Sequence, residues 1–252
     1  MSSRPPASCC TQGFKHEGEP TGVIIKIQDK WTAYVAAAEG KQKRDGVGIL
    51  LVPDVMSISN NVKLLADEFA SHGFTCMALD IFNGDALTLN DLISGRDVAK
   101  WLREGSDGHN PHTPEVIDPI VSAAIETLRT DYGASKIASA GYCLGAKYTI
   151  RFLKSSIDIG YVAHPSNVSD EELAAINGPL SIAAAEKDHI FQVEDRHRSE
   201  AILSETGKPF QIFLYSGTAH GFAVRGNMKD KSDRENKEQA LEQAVAWFDR
   251  FL

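Results

Sequence analysis

The run Ser139-Ala140-Gly141-Tyr142-Cys143-Leu144-Gly145-Ala146-Lys147 constrains the fold more than any other stretch, because it joins a β-like segment to a helix-like one through two glycines that bracket a cysteine. Such a turn reads as a nucleophile elbow. The reactive side chain sits on a strained strand-to-helix turn, small residues two before and two after it relieve crowding, and it projects above the sheet. The helix start would favour the thiolate of Cys143 over the thiol. The competing reading is a buried structural cysteine between two incidental glycines, in a chain that has 20 of them.

The surrounding pattern favours the elbow. A continuous apolar run at 47–52 is what a strand buried on both faces of a parallel sheet requires, 75–79 reads as another buried strand, and 136–140, 159–163, 180–185 and 210–215 read as further strands. Between them lie helical patterns. One carries Val62, Leu64, Leu65, Phe69 and Ala70 on one face; another spans 115–130, entered after Pro114; a third covers 146–153. The last begins near Ser232, with Glu235 at capping-box spacing, and presents Leu241, Ala244, Val245, Phe248 and either Phe251 or Leu252. Two β-rich runs, 23–27 and 31–36, flank Gln28-Asp29-Lys30 and predict an antiparallel hairpin. Cys76 belongs to the core. From Asp80 to Pro114 glycines and prolines interrupt a weak helix at 92–102, as in an insertion that forms a pocket wall. Alternation of strands and helices predicts an α/β fold: a doubly wound, mainly parallel sheet with an N-terminal antiparallel hairpin, in a single domain at 21–252 preceded by a surface arm at 1–20.

Composition narrows the function. A formal net charge of −8 argues against nucleic acid or an anionic membrane surface as partner. No apolar run reaches a bilayer span, and the polar start lacks the apolar core of a signal peptide. Four cysteines without a C-x-x-C motif or a disulfide framework fit a reducing, cytoplasmic setting. Cys9, Cys10 and His16 could bind a metal, but a fourth ligand is not evident and plain surface cysteines are the simpler reading. His109 and His112 have ligand-like spacing, yet between a glycine and prolines they read as solvated loop histidines. No metal or cofactor is expected.

In open α/β sheets ligands bind beyond the carboxyl ends of the strands. Asp54, Cys143, Asp188 and His220 each follow a separate apolar run. The order nucleophile, acid, histidine is that of the α/β-hydrolase arrangement. Cys143 would attack a carbonyl, His220 would shuttle its proton, and Asp188 would fix the imidazole tautomer, with Glu186 as the rival acid. Backbone N–H groups of Leu144 and Val55 would form the oxyanion hole.

Gly13-Phe14-Lys15-His16-Glu17-Gly18, the Gly141-to-Gly145 elbow, His164-Pro165-Ser166 and Ala219-His220-Gly221-Phe222 together resemble the dienelactone hydrolases, in particular their fungal branch, over nearly the whole chain. The resemblance implies a cysteine hydrolase that opens an enol-lactone or cleaves a related small ester through a Cys-His-Asp triad, without metal or cofactor. Bacterial members carry a glutamate that holds the resting thiol; here Asp54, one methylene shorter, takes that place, as in the fungal branch. Ser57 replaces a glycine frequent in the family, and Ile81-Phe82-Asn83-Gly84 stands where the bacterial substrate-binding arginine would lie. Arg225 is then the candidate for holding a substrate carboxylate, against a solvated surface arginine. His164 would line the pocket or make a structural hydrogen bond, and Tyr142 would pack beside the elbow. The alternative function on the same fold is a non-hydrolytic binding protein or thiol redox sensor. Substrate identity and oligomeric state stay open.

Overall fold

A computed structural model describes residues 18–252. The arm read at 1–20 and the Cys9, Cys10 and His16 group fall outside those residues, except for Gly18 to Pro20. The expected hairpin is formed by β1 (Val23–Ile27) and β2 (Trp31–Ala36), paired antiparallel. Gln28 and Asp29 both adopt left-handed φ, 50° and 56°, and the Lys30 N–H donates to the Ile27 carbonyl at 3.0 Å. Two consecutive positive φ values at the centre of this three-residue connection match the right-handed twist of the flanking strands.

The sheet continues through β3 (Val47–Val52), β4 (Thr75–Leu79), β5 (Lys136–Tyr142), β6 (Ile159–Ala163), β7 (Leu180–Lys187) and β8 (Phe210–Ala219), in the spatial order β1-β2-β4-β3-β5-β6-β7-β8. From β4 onward every pairing is parallel, whereas β2 meets β4 antiparallel. Parallel strands need helices on both faces, and the buried side chains divide accordingly. Leu50 and Val52 of β3 join a core with Ile117 and Val121 of α4 (Pro114–Thr130) and Tyr148 and Ile150 of α5 (Leu144–Leu153). Ile49 and Leu51, one residue out of phase, join the opposite core with Val62 and Phe69 of α1 (Asn60–Ser71) and Leu241 and Phe248 of α8 (Lys231–Phe251). Each such aliphatic side chain contributes about 1.5–3 kcal/mol on burial. Phe248 meets Phe69 and Phe74 at ring-centroid distances of 6.1 and 6.2 Å, so truncating it would cost about 3–5 kcal/mol.

Several boundaries differ from expectation. The weak helix at 92–102 is two helices, α2 (Leu89–Ile93), entered through a Thr88/Asp91 capping box, and α3 (Val98–Glu104), capped by Asp97; Gly95 at φ 75° breaks them. α8 is capped by Asp230, whose carboxylate accepts from the N–H groups of Ser232 and Asp233, not by Ser232. His112 is not solvated: it is buried at 3% exposure, with Nε2 2.9 Å from Asp85, between the rings of Phe82 and Trp101. The Trp101 indole N–H also donates to the Asp85 carbonyl, so Asp85 fastens the insertion to the sheet. Two helices had no counterpart in the sequence pattern, α6 (Asp170–Ala174) and α7 (Val193–Thr206). Among the described residues no helix is long and apolar enough to cross a membrane.

Candidate active site

Cys143 sits between the last residue of β5 and the first of α5 with φ 52° and ψ −116°, a backbone conformation that side chains rarely adopt. Such strain persists only where the surroundings hold it. Here the Cys143 N–H donates to the Ala163 carbonyl of β6, and its own carbonyl accepts from Ser166 and Ala146. Gly145 makes the tight turn possible: a Cβ there would lie 2.0 Å from the Val52 carbonyl oxygen of β3. The thiol, in a residue only 6% exposed, lies 3.5 Å from the Ser166 hydroxyl.

His220 follows β8 and Asp188 follows β7, as the strand-end argument requires. The imidazole Nδ1 meets both Asp188 oxygens, at 2.9 and 3.0 Å. The opposite nitrogen, Nε2, is buried without a partner of hydrogen-bonding geometry among the described residues. Burial acts against a charged ring, but the bond to Asp188 and then the neighbouring Cys143 thiol outweigh it, and the His220 pKa is pushed up to about 9. Burial likewise disfavours the Asp188 carboxylate. The His220 hydrogen bond and charge, with the N–H groups of Ile190 and Phe191, nonetheless hold it below the usual carboxylate range. Glu186, the rival acid, points away; it is exposed and accepts from Ser216 and the Gly217 N–H.

The N–H groups of Leu144, first residue of α5, and of Val55, in the turn after β3, carry no intraprotein hydrogen bond among the described residues. Asp54 is fully buried. Its carboxylate accepts from the Met56 N–H at 2.9 Å and forms an ion pair with Arg225, 171 residues away in sequence. Arg225 is therefore not a solvated surface arginine, although 24% of its side chain remains exposed. Gly221 allows the approach, since a Cβ there would meet the guanidinium at 2.6 Å. Ser57, standing where a glycine is frequent in the resembling family, has φ 53° and donates its hydroxyl to Asp80 at 2.9 Å.

His164 is fully buried at φ 38°, its ring 4.9 Å from that of His220, and neither ring nitrogen has a hydrogen-bond partner among the described residues. Burial, followed by the nearby His220 and Arg225 charges, drives its pKa well below the ordinary range, so the ring is neutral. Tyr142 is buried beside the elbow and packs against Tyr161 and His164. A cavity of about 250 Å³ borders the site at His220, Phe222 and Arg225. A second, of about 150 Å³, reaches it from Ser166, Val168, Ile190 and Phe191. Ser166 was missed as a site residue because nothing in a His-Pro-Ser turn reveals which side chain will face a thiol from another strand. Among the described residues no cluster of three His, Cys, Asp or Glu side chains is placed to hold a metal ion.

Residues 32–252 match the model of the dienelactone hydrolase family. The chain belongs to that family. It is 43% identical to hydrolase tropI of Talaromyces stipitatus, over all of this chain and 99% of that protein. It is 31% identical to dienlactone hydrolase 1 of Gibberella moniliformis, over 99% of this chain and 95% of that one. A solved dienelactone hydrolase structure from Anabaena variabilis superposes with a TM-score of 0.64 at 11% identity, covering 93% of this chain and 98% of that one, and shows the shared α/β-hydrolase fold. As a dienelactone hydrolase family member, the protein is a hydrolase acting on ester bonds.

Proposed function

We propose that the protein hydrolyses a lactone, enol-lactone or small carboxylic ester by nucleophilic catalysis at Cys143, through an acyl-enzyme intermediate. The observation that carries this reading is the state of His220: Nδ1 fixed by Asp188, Nε2 without another partner, and the Cys143 thiol beside it.

The thiol proton passes to Nε2, leaving a thiolate beside an imidazolium. The sulfur attacks the carbonyl carbon and the C=O electron pair moves onto oxygen, where the Leu144 and Val55 N–H groups receive it. Each such donor contributes about 3–4 kcal/mol to the transition state. Collapse breaks the C–O bond, and Nε2–H protonates the departing oxygen, which in a lactone stays tethered to the acyl chain. Water then gives a proton to Nε2 and attacks the thioester; the second collapse expels thiolate and frees the acid. Asp188 holds the tautomer and offsets the imidazolium charge throughout.

Arg225 would orient a substrate carboxylate. Its Nη1 is committed to Asp54 and the Met56 sulfur, while Nη2 and Nε, without a hydrogen bond among the described residues, are left for a bidentate partner. Asp54 would hold Arg225 in position for that role, while the resting thiol is met by Ser166. The neutral ring of His164 packs against the catalytic histidine and is itself backed by the buried Tyr142. The test is turnover of aryl esters and lactones by Cys143→Ala and Ser166→Ala. Loss in the first with retention in the second, together with inactivation of the wild type by a thiol alkylating agent, is expected. Full activity of Cys143→Ala would sink the proposal.

A further inference from the structure

Among the described residues β8 is the last strand of the sheet and pairs only with β7, so one long edge of its backbone has no strand partner there. An edge left to solvent is ordinarily blunted by a charge, a proline or short length. The ten residues Phe210–Ala219 contain neither charge nor proline, and Phe213 and Leu214 are 50% and 49% exposed. The opposite edge, β1, also exposes Val23 and Ile24, but it is half as long and carries Lys26. Beside β8 a groove of about 620 Å³ runs between Phe213 and Leu214 on the strand and Glu242, Ala246 and Arg250 on α8.

That helix face is complementary to itself. Glu242 and Arg250 are each four residues from Ala246, so a two-fold axis passing Ala246 brings Glu242 of one copy opposite Arg250 of the other, with the smallest side chain at the point of closest approach. The same axis serves the strand. Gln243, less than one turn from Ala246, accepts from the Tyr215 hydroxyl at 2.8 Å, which fixes this part of α8 beside the middle of β8. We propose that two copies of this chain associate through antiparallel pairing of their β8 edges, extending the sheet across a two-fold axis while their α8 helices pack over it. Free N–H and C=O groups of both edges are satisfied together, Phe213 and Leu214 leave water, and two Glu242–Arg250 contacts set the register.

Sedimentation velocity of the full chain over a concentration series tests this, with far-UV circular dichroism and aryl-ester turnover as checks of folding. The wild type is expected to be a dimer, and Phe213→Lys a folded, active monomer. Glu242→Arg and Arg250→Glu, each placing like charges across the axis, are expected to weaken the dimer about tenfold or more, and the double reversal to restore it. A wild type that stays monomeric at every concentration would overturn the proposal. So would a dimer indifferent to both Phe213→Lys and Glu242→Arg, which would place the contact elsewhere, for instance on β1.

Discussion

His220 and His112 each lie 2.9 Å from an aspartate oxygen in a buried setting, yet their acidities move in opposite directions. His220 is pushed up to about 9, because Asp188 engages its Nδ1 with both oxygens and the Cys143 thiol adds to the pull. His112 is pushed down, because burial between Phe82 and Trp101 outweighs the single oxygen that Asp85 offers. Asp85 is also shared with the Ser106 N–H, at 2.8 Å. A histidine–carboxylate pair is thus not catalytic by composition. The proposed role falls to the pair whose ring lies beside a nucleophile, where strand ends bring all three together.

The contrast is broken most severely at the site. Replacing Cys143 or His220 by alanine is expected to lower kcat/KM by about 10⁴-fold or more, read with an activated ester. Asp188→Asn, which alters the tautomer and little else, is expected to cost about 10³–10⁴-fold in kcat. A value near wild type would hand the acid role to Glu186. His112→Phe is expected to act on the other quantity, losing about 2 kcal/mol in urea unfolding as Asp85 loses its histidine partner and keeps only Ser106, with kcat nearly unchanged.

Stability against pH sharpens the same comparison. His220 has a folded pKa above its ordinary 6.5, so its contribution is complete below about 6.5 and is lost as pH rises through about 9. His112 lies below 6.5, so its contribution is present above that value and is lost as pH falls through the lowered pKa. Urea unfolding of the wild type, His220→Asn and His112→Phe across that range should show differences of opposite slope. Parallel curves would mean the two pairs are electrostatically alike. The smallest effect is expected from Glu186→Gln, a few-fold at most in kcat, since that side chain is exposed and caps the turn at Gly217.

The two pairs were also unequally legible. β5 and β7, which lead to Cys143 and Asp188, are buried along most of their length, and β8, which leads to His220, is a half-exposed edge strand, yet all three read as apolar runs; the glycines around Cys143 marked the turn. His112 stood among Gly108, Pro111 and Pro114, which mark a loop; its burial depends on Phe82 and Trp101, contacts no local pattern encodes. α7 escaped notice for a related reason, since it buries only Leu203 and has no apolar stripe to read. The Asp54–Arg225 pair joins positions 171 residues apart, so the sequence suggested each residue separately and could not pair them.

The central claim is that Cys143, with the His220 ring beside it, carries the acyl group. Intact-protein and peptide mass spectrometry after rapid quenching with an activated aryl ester measures this directly. An adduct of one acyl mass confined to the Cys143 peptide, absent from Cys143→Ala and cleared by the active enzyme with time, is the expected result. An adduct on Ser166, or undiminished hydrolysis by Cys143→Ala, would contradict the account.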